Sequence, residues 1–156
     1  MLTIEDLTAQ ASVFAGLAPE HLELIAGCGQ NDRADAGAFL FHEGEPAQRC
    51  YLIRSGVVGL EVQSPGRGQL RIETLSEGEV IGWSWLFAPY RWALDARALE
   101  PTALVAFDAA CLRGKADADH ELGYQLMRRF AAVIVERLQA TRLQLLDVYG
   151  DARAAR

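Results

Sequence analysis

Basic residues are scarce in this 156-residue sequence: 15 lysines and arginines stand against 21 aspartates and glutamates, for a net charge of -6. Nucleic-acid binding rests on a basic footprint, so the composition argues against nucleic acid as a direct partner. No run of about 18 apolar residues is present, so no transmembrane helix and no membrane partner are expected. The N-terminus, Met1-Leu2-Thr3-Ile4-Glu5-Asp6, is acidic and lacks the basic-then-apolar layout of a signal peptide; a cytoplasmic protein is expected. Cysteine is rare too. Cys28, Cys50 and Cys111 are widely spaced, odd in number and form no CxxC pair, which reads as buried thiols in a reducing compartment.

Signs of catalysis are equally thin. His21, His42 and His120 are isolated from one another, so no metal-ligand cluster is visible. No GxSxG, P-loop or Cys–His arrangement occurs, and no enzyme is expected. Glu43 and Glu45 read as turn residues rather than as an acid/base pair.

What is present is a globular composition, 51% hydrophobic and 23% charged, in a length suited to one domain over 1–156. A chain of this size buries on the order of 70% of its unfolded surface and needs no metal or disulfide to fold. The order is helix, many short strands, then helix. Thr3 and Asp6 fit a capping box opening a helix that ends near Phe14, and Pro19 suits the first turn of a second, stopped by Gly27 and Gly29. N-terminal helices are expected over about 3–28, a barrel over about 30–108 and C-terminal helices over about 109–150.

From about residue 30 the apolar period changes to two. Strands are expected at Phe39-Leu40-Phe41, at Cys50 to Ile53, at Val58 to Val62, at Leu70 to Thr74, at Trp92 to Ala96 and at Ala103 to Phe107. Short strands with frequent turn glycines indicate a sandwich or barrel, a mainly β fold with flanking helices. The stretch from Val80 to Arg91 follows neither period. It reads as a loop with one helical turn inserted between strands, where function usually sits on a β scaffold. Asp108 caps a short helix, and Asp117 or Asp119 opens a long one to about Tyr149. On it Met127, Ala131, Ile134, Leu138, Thr141, Leu145 and Val148 recur in steps of four and three, a heptad seam. That stripe can be covered by a second copy in a homodimer, or by the helix folding wholly onto its own barrel.

Three segments carry a family resemblance: Phe41-His42-Glu43-Gly44-Glu45, Tyr51-Leu52-Ile53-Arg54-Ser55-Gly56 and Gly78-Glu79-Val80-Ile81-Gly82. With the order of elements, and with Arg137-Leu138-Gln139-Ala140-Thr141 on the long helix, they resemble the cyclic nucleotide-binding domain, in particular the sensor half of CRP/FNR-type regulators. The resemblance implies a small jelly-roll β-barrel with a long C-terminal helix that dimerises. It also implies a phosphate-binding cassette, here about 78–92, and cAMP or cGMP as ligand. Gly82 matches the cassette glycine, Arg91 the phosphate arginine and Thr141 a base-contacting position on the dimer helix. Trp83 stands where the family places a ribose-binding glutamate, and Trp92 where it places a phosphate-side Ser or Thr.

Indole offers one donor and no acceptor, so Trp83 cannot hold a ribose hydroxyl as a carboxylate does. Losing such a charged hydrogen bond costs about 1.5–3 kcal/mol. Ser84 is placed to take over a phosphate contact. Two functions follow as expectations. One is a stand-alone sensor domain with a divergent cassette for a cyclic nucleotide or another small anion. The other is a ligand-free dimerisation or protein-interaction module whose tryptophans fill the cassette. Arg91 has a rival role too, as a surface arginine paired with Asp95, and the tryptophans a rival role in packing. The family's transcription factors continue into a helix-turn-helix domain, whereas six residues follow Gly150 here, so a sensor-like module without that domain is expected.

Overall fold

Thr3 opens the first helix as its spacing with Asp6 predicts: its hydroxyl accepts from the Asp6 amide at 3.1 Å, and the Asp6 carboxylate accepts from the Thr3 amide at 2.9 Å. The structure is a computed structural model and describes residues 1–154, with side chains described through residue 150. Helix α1 spans Ile4–Gln10 and ends short of Phe14, because residues 12–16 turn. That turn buries Phe14 edge-on against Phe107, ring centroids 6.0 Å apart. Helix α2, Pro19–Ala26, starts on its proline and stops at Gly27.

The strands are β1 (Gly29–Ala34), β2 (Phe39–Phe41), β3 (Arg49–Ser55), β4 (Val58–Ser64), β5 (Gly68–Leu75), β6 (Val80–Ile81), β7 (Asp95–Ala98) and β8 (Thr102–Asp108). They form two four-stranded antiparallel sheets, ordered β1-β8-β3-β6 and β2-β7-β4-β5, which is jelly-roll connectivity. The strand expected from Trp92 starts only at Asp95. The Trp92 backbone is engaged instead by the turn after β2, its amide donating to Glu45 O and its carbonyl accepting from the Gly44 amide. Leu52, Leu60, Leu75, Ile81 and Leu104, all about 2% exposed or less, fill the core.

Helix α3 (Ala109–Ala118) is capped by Asp108, whose carboxylate accepts from the Cys111 amide at 2.8 Å. Helix α4 (His120–Ala154) follows after Asp119, which accepts from the Leu122 amide. It is about 50 Å long at 1.5 Å per residue. Leu122, Leu126 and Phe130 are buried against the domain, and further along Gln144 donates to Ile72 O at 2.9 Å. The helix does not fold wholly onto its barrel. Met127, Leu138, Leu145 and Val148 of the heptad seam are 45–65% exposed. No helix among the described residues is long and apolar enough to cross a membrane.

The cysteines correct an expectation. Cys28 and Cys111 form a disulfide with Cα atoms 5.7 Å apart, and only Cys50 is a free, buried thiol. The partners are 83 residues apart in sequence. The β1–β8 register, Gly29 opposite Phe107, brings the end of α2 against the first turn of α3. Linear spacing carries no trace of that proximity.

Candidate functional site: the cassette and its tryptophans

The loop between β6 and β7 begins at Gly82, whose φ of 87° is a left-handed conformation suited to glycine. A Cβ on Gly82 would collide with the six-membered ring of Trp92. The indole of Trp92, 5% exposed, therefore lies directly against the cassette glycine. Its other neighbour is Phe41, stacked with ring centroids 3.6 Å apart and planes 6° from parallel. Trp83 is half-buried, and the Arg137 guanidinium from α4 lies 5.0 Å over its ring. Trp85 is fully buried and packs edge-on against Phe130, centroids 5.2 Å apart.

These side chains leave a cavity of about 20 Å³, lined by Phe41, Leu60, Gly82, Trp83, Trp92 and Arg137, among others. Such a volume holds about one water. Ser84 also reaches its wall. Gly82, Trp83, Ser84 and Trp92 thus all line this cavity.

Arg91 and Thr141 are not part of this cluster. Arg91 is exposed, and its Nη1 donates to Gly44 O at 2.8 Å. It caps the turn after β2 rather than facing the cavity or pairing with Asp95. Asp95 is held by other partners: it accepts from the Glu43 amide at 2.7 Å and from Gln69 Nε2 at 2.6 Å, with His42 Nδ1 3.7 Å away. Burial works to raise the Asp95 pKa, but those hydrogen bonds and His42 outweigh it and hold the carboxyl below its ordinary value. Thr141 is exposed, and its hydroxyl donates to Arg137 O one turn back on the same helix.

The cation at the cavity is Arg137, a role that the sequence pattern does not assign. Its Nε lies 3.4 Å from Glu73 Oε2, while its Nη1 is buried with no hydrogen-bond partner. Burial pushes its pKa down and Glu73, Glu79 and Glu136 push it back up. A guanidinium stays charged under such a shift. Its position four residues before Thr141 was the available signal, since residues at that spacing share a helix face. Two further residues carry no such signal. Phe41 supplies the stacking surface for Trp92. Arg113 of α3 donates to Trp85 O at 2.7 Å and lies 4.3 Å over the Tyr90 ring, tying the cassette to the C-terminal helices.

A model of the cyclic nucleotide-binding domain family matches residues 32–119. Over 145 residues, 93% of this chain, the sequence is 26% identical to the CRP-like cAMP-activated global transcriptional regulator of Mycobacterium tuberculosis, and it spans 63% of that regulator's length. Among solved structures, a candidate cyclic nucleotide-binding protein from Geobacter metallireducens matches with a TM-score of 0.77 at 30% identity, over 88% of this chain and 99% of its own. The catabolite activator protein of Thermus thermophilus matches with a TM-score of 0.71 at 27% identity, over 88% of this chain and 62% of its own.

Proposed function

The chain belongs to the cyclic nucleotide-binding domain family, and from that footing we propose that it is a regulatory module whose cassette is plugged by its own Trp92 and which acts as a homodimer through α4. It works in the cytoplasm, without binding DNA through these residues and without catalysing a reaction. The observation that carries this reading is the Trp92 indole, stacked on Phe41 and seated on Gly82 where a ligand phosphate would approach the backbone. A cavity of about 20 Å³ has no space for a ribose phosphate. The arginine that would neutralise a phosphate is turned to Gly44 O. The exposed seam of Leu138, Leu145 and Val148 supports dimerisation, because a row of aliphatic side chains at heptad spacing gains by pairing with its own copy. The net charge of -6 supports the absence of DNA contacts.

One observation favours a second reading. Arg137 lines the cavity and its Nη1 is buried without a partner, so an anion displacing Trp92 would meet a cation with a spare donor. Under that reading the domain is a cAMP or cGMP sensor.

A thermal melt separates the two. Millimolar cAMP and cGMP are expected to leave the midpoint unchanged. A rise on the order of 5–15 °C, the effect of a ligand at about 100 times its Kd on a domain of this size, overturns the plug and supports the sensor.

A further inference from the structure

The disulfide joins two parts of the chain that lie far apart in sequence and that the β1–β8 pairing brings side by side. Cys28 lies just past α2, and Cys111 in the first turn of α3. Helix α3 runs through Asp119 into α4, the helix with the exposed seam. Among the described residues, the buried Phe14 packs edge-on against Phe130 of α4, and three covalent or polar side-chain ties also connect the N-terminal helical layer to this C-terminal arm. One is the disulfide. A second joins His21 Nε2 to Asp119 Oδ2 at 3.2 Å. The third is Arg129 Nη1, which donates to Val13 O and Ala15 O at 3.1 and 2.6 Å. Only the first is covalent and can be made or broken chemically.

We propose that Cys28–Cys111 is a redox latch, opened by a dithiol reductant, that fixes α3 and the root of α4 to the N-terminal layer. Attack is assigned to the sulfur of Cys111, because that residue is partly exposed whereas Cys28 is 8% exposed. A reductant thiolate attacks Cys111 Sγ, the Cys28–Cys111 bond breaks, and Cys28 leaves as a thiolate that takes up a proton. The second reductant thiol then displaces Cys111. The net transfer is two electrons and two protons to the protein, and the dithiol becomes a disulfide. Cys50 takes no part: it is fully buried, and burial pushes its thiol pKa up, away from the reactive thiolate.

Disulfides that exist in a reducing cytoplasm are usually transient or redox-sensing rather than permanent staples. The inference relies on the proposed cytoplasmic setting for the supply of reductant alone, and it is independent of what the cassette holds. Opening the latch leaves the barrel sheets intact and removes the one covalent tie on the arm that carries the dimer seam, leaving the two polar ties and the Phe14–Phe130 contact. Redox state then sets the mobility of that arm.

The test uses the full chain, prepared without reductant and then treated with dithiothreitol. Thiol titration of the denatured protein is expected to find one thiol, Cys50, before reduction and all three after it. Hydrogen exchange at α3 and the first turns of α4 is expected to accelerate on the order of tenfold or more on reduction, to slow again on reoxidation, and to leave β4 and β5 unchanged. Cys111→Ser should show the fast exchange without reductant and no response to it. Three thiols before reduction overturn the proposal. So does unchanged exchange in α3, and so does acceleration of β4 and β5 equal to that of α3, which would make the bond a staple of the whole domain. The reduced wild-type protein is itself measured, so the comparison with the oxidised form holds even where a cysteine variant fails to fold.

Discussion

The indole of Trp92 lies flat on the ring of Phe41, with centroids 3.6 Å apart and planes 6° from parallel. One side of the stack comes from β2 and the other from the end of the cassette, so the stack ties the end of the cassette to the barrel. The same stack needs a bare backbone at Gly82. Phe41, Trp92 and Gly82 thus form one packed arrangement, the one that the proposed plug rests on.

Removing the plug should be expensive. Trp92→Ala takes away a side chain that is 5% exposed, and large aromatic truncations of this kind cost about 3–5 kcal/mol. Trp83→Ala removes a half-buried ring whose specific contact is the Arg137 guanidinium, an interaction of about 0.5–2 kcal/mol. Urea denaturation of the two variants is expected to show the larger loss at Trp92. Equal losses would mean that Trp92 is not the residue holding the site shut.

The role of Gly82 can be isolated with a matched control. Gly78 and Gly82 have φ of 85° and 87°, but a Cβ at Gly78 meets nothing within 4 Å, while one at Gly82 meets the Trp92 ring. Gly78→Ala therefore reports backbone strain alone, about 1–3 kcal/mol. Gly82→Ala adds displacement of the indole, so it should be the more destabilising of the two and should shift tryptophan emission. Identical denaturation curves for the two variants would contradict the contact.

How much of this was legible in the sequence depends on what each residue's position follows from. The capping box at Thr3, the cap at Asp108 and the heptad seam on α4 are local patterns, and they reappear where the spacing puts them. Strand β1 is Gly-Gln-Asn-Asp-Arg-Ala, whose polar residues give no alternation to read; it is a strand because β8 pairs with it along its whole length. Strand β6 has two residues, too few for any period. The cassette was legible as a break in the strand pattern, and its tryptophans as ring volume in the wrong place for a ribose. The direction of Arg91 was not, because it follows from the turn at Gly44, 47 residues earlier. The Cys28–Cys111 pair depends in the same way on register between β1 and β8.

Asp95 supplies a pH dependence. Its folded-state pKa lies below the ordinary 3.8. A depressed carboxyl contributes stability that is fully present above the unfolded value and is lost as pH falls through the folded one. Stability should therefore fall on acidification below about pH 4, and Asp95→Asn should flatten that acid limb relative to wild type. Denaturation midpoints across the acid range check this. Parallel acid limbs for wild type and variant would refute the assignment to Asp95.

The seam on α4 predicts oligomeric state. Leu138 and Leu145 are 55% and 54% exposed in the single chain, one heptad apart. Leu138→Glu and Leu145→Glu place like charges against their own copies across a symmetric interface and should leave the barrel folded. Sedimentation velocity is expected to show a dimer for wild type and a monomer for either variant, with unchanged far-UV circular dichroism. A monomeric wild type would remove α4 as the means of assembly.

The most direct test of the plug is the indole Nε1–H resonance of Trp92, followed by two-dimensional NMR while cAMP, then cGMP, is added to millimolar concentration. If Trp92 plugs the cassette as proposed, the resonance is expected to stay in place. A saturable shift of that resonance, together with those of Trp83 and the Arg137 guanidinium, would contradict a plugged cassette and make the domain a nucleotide sensor.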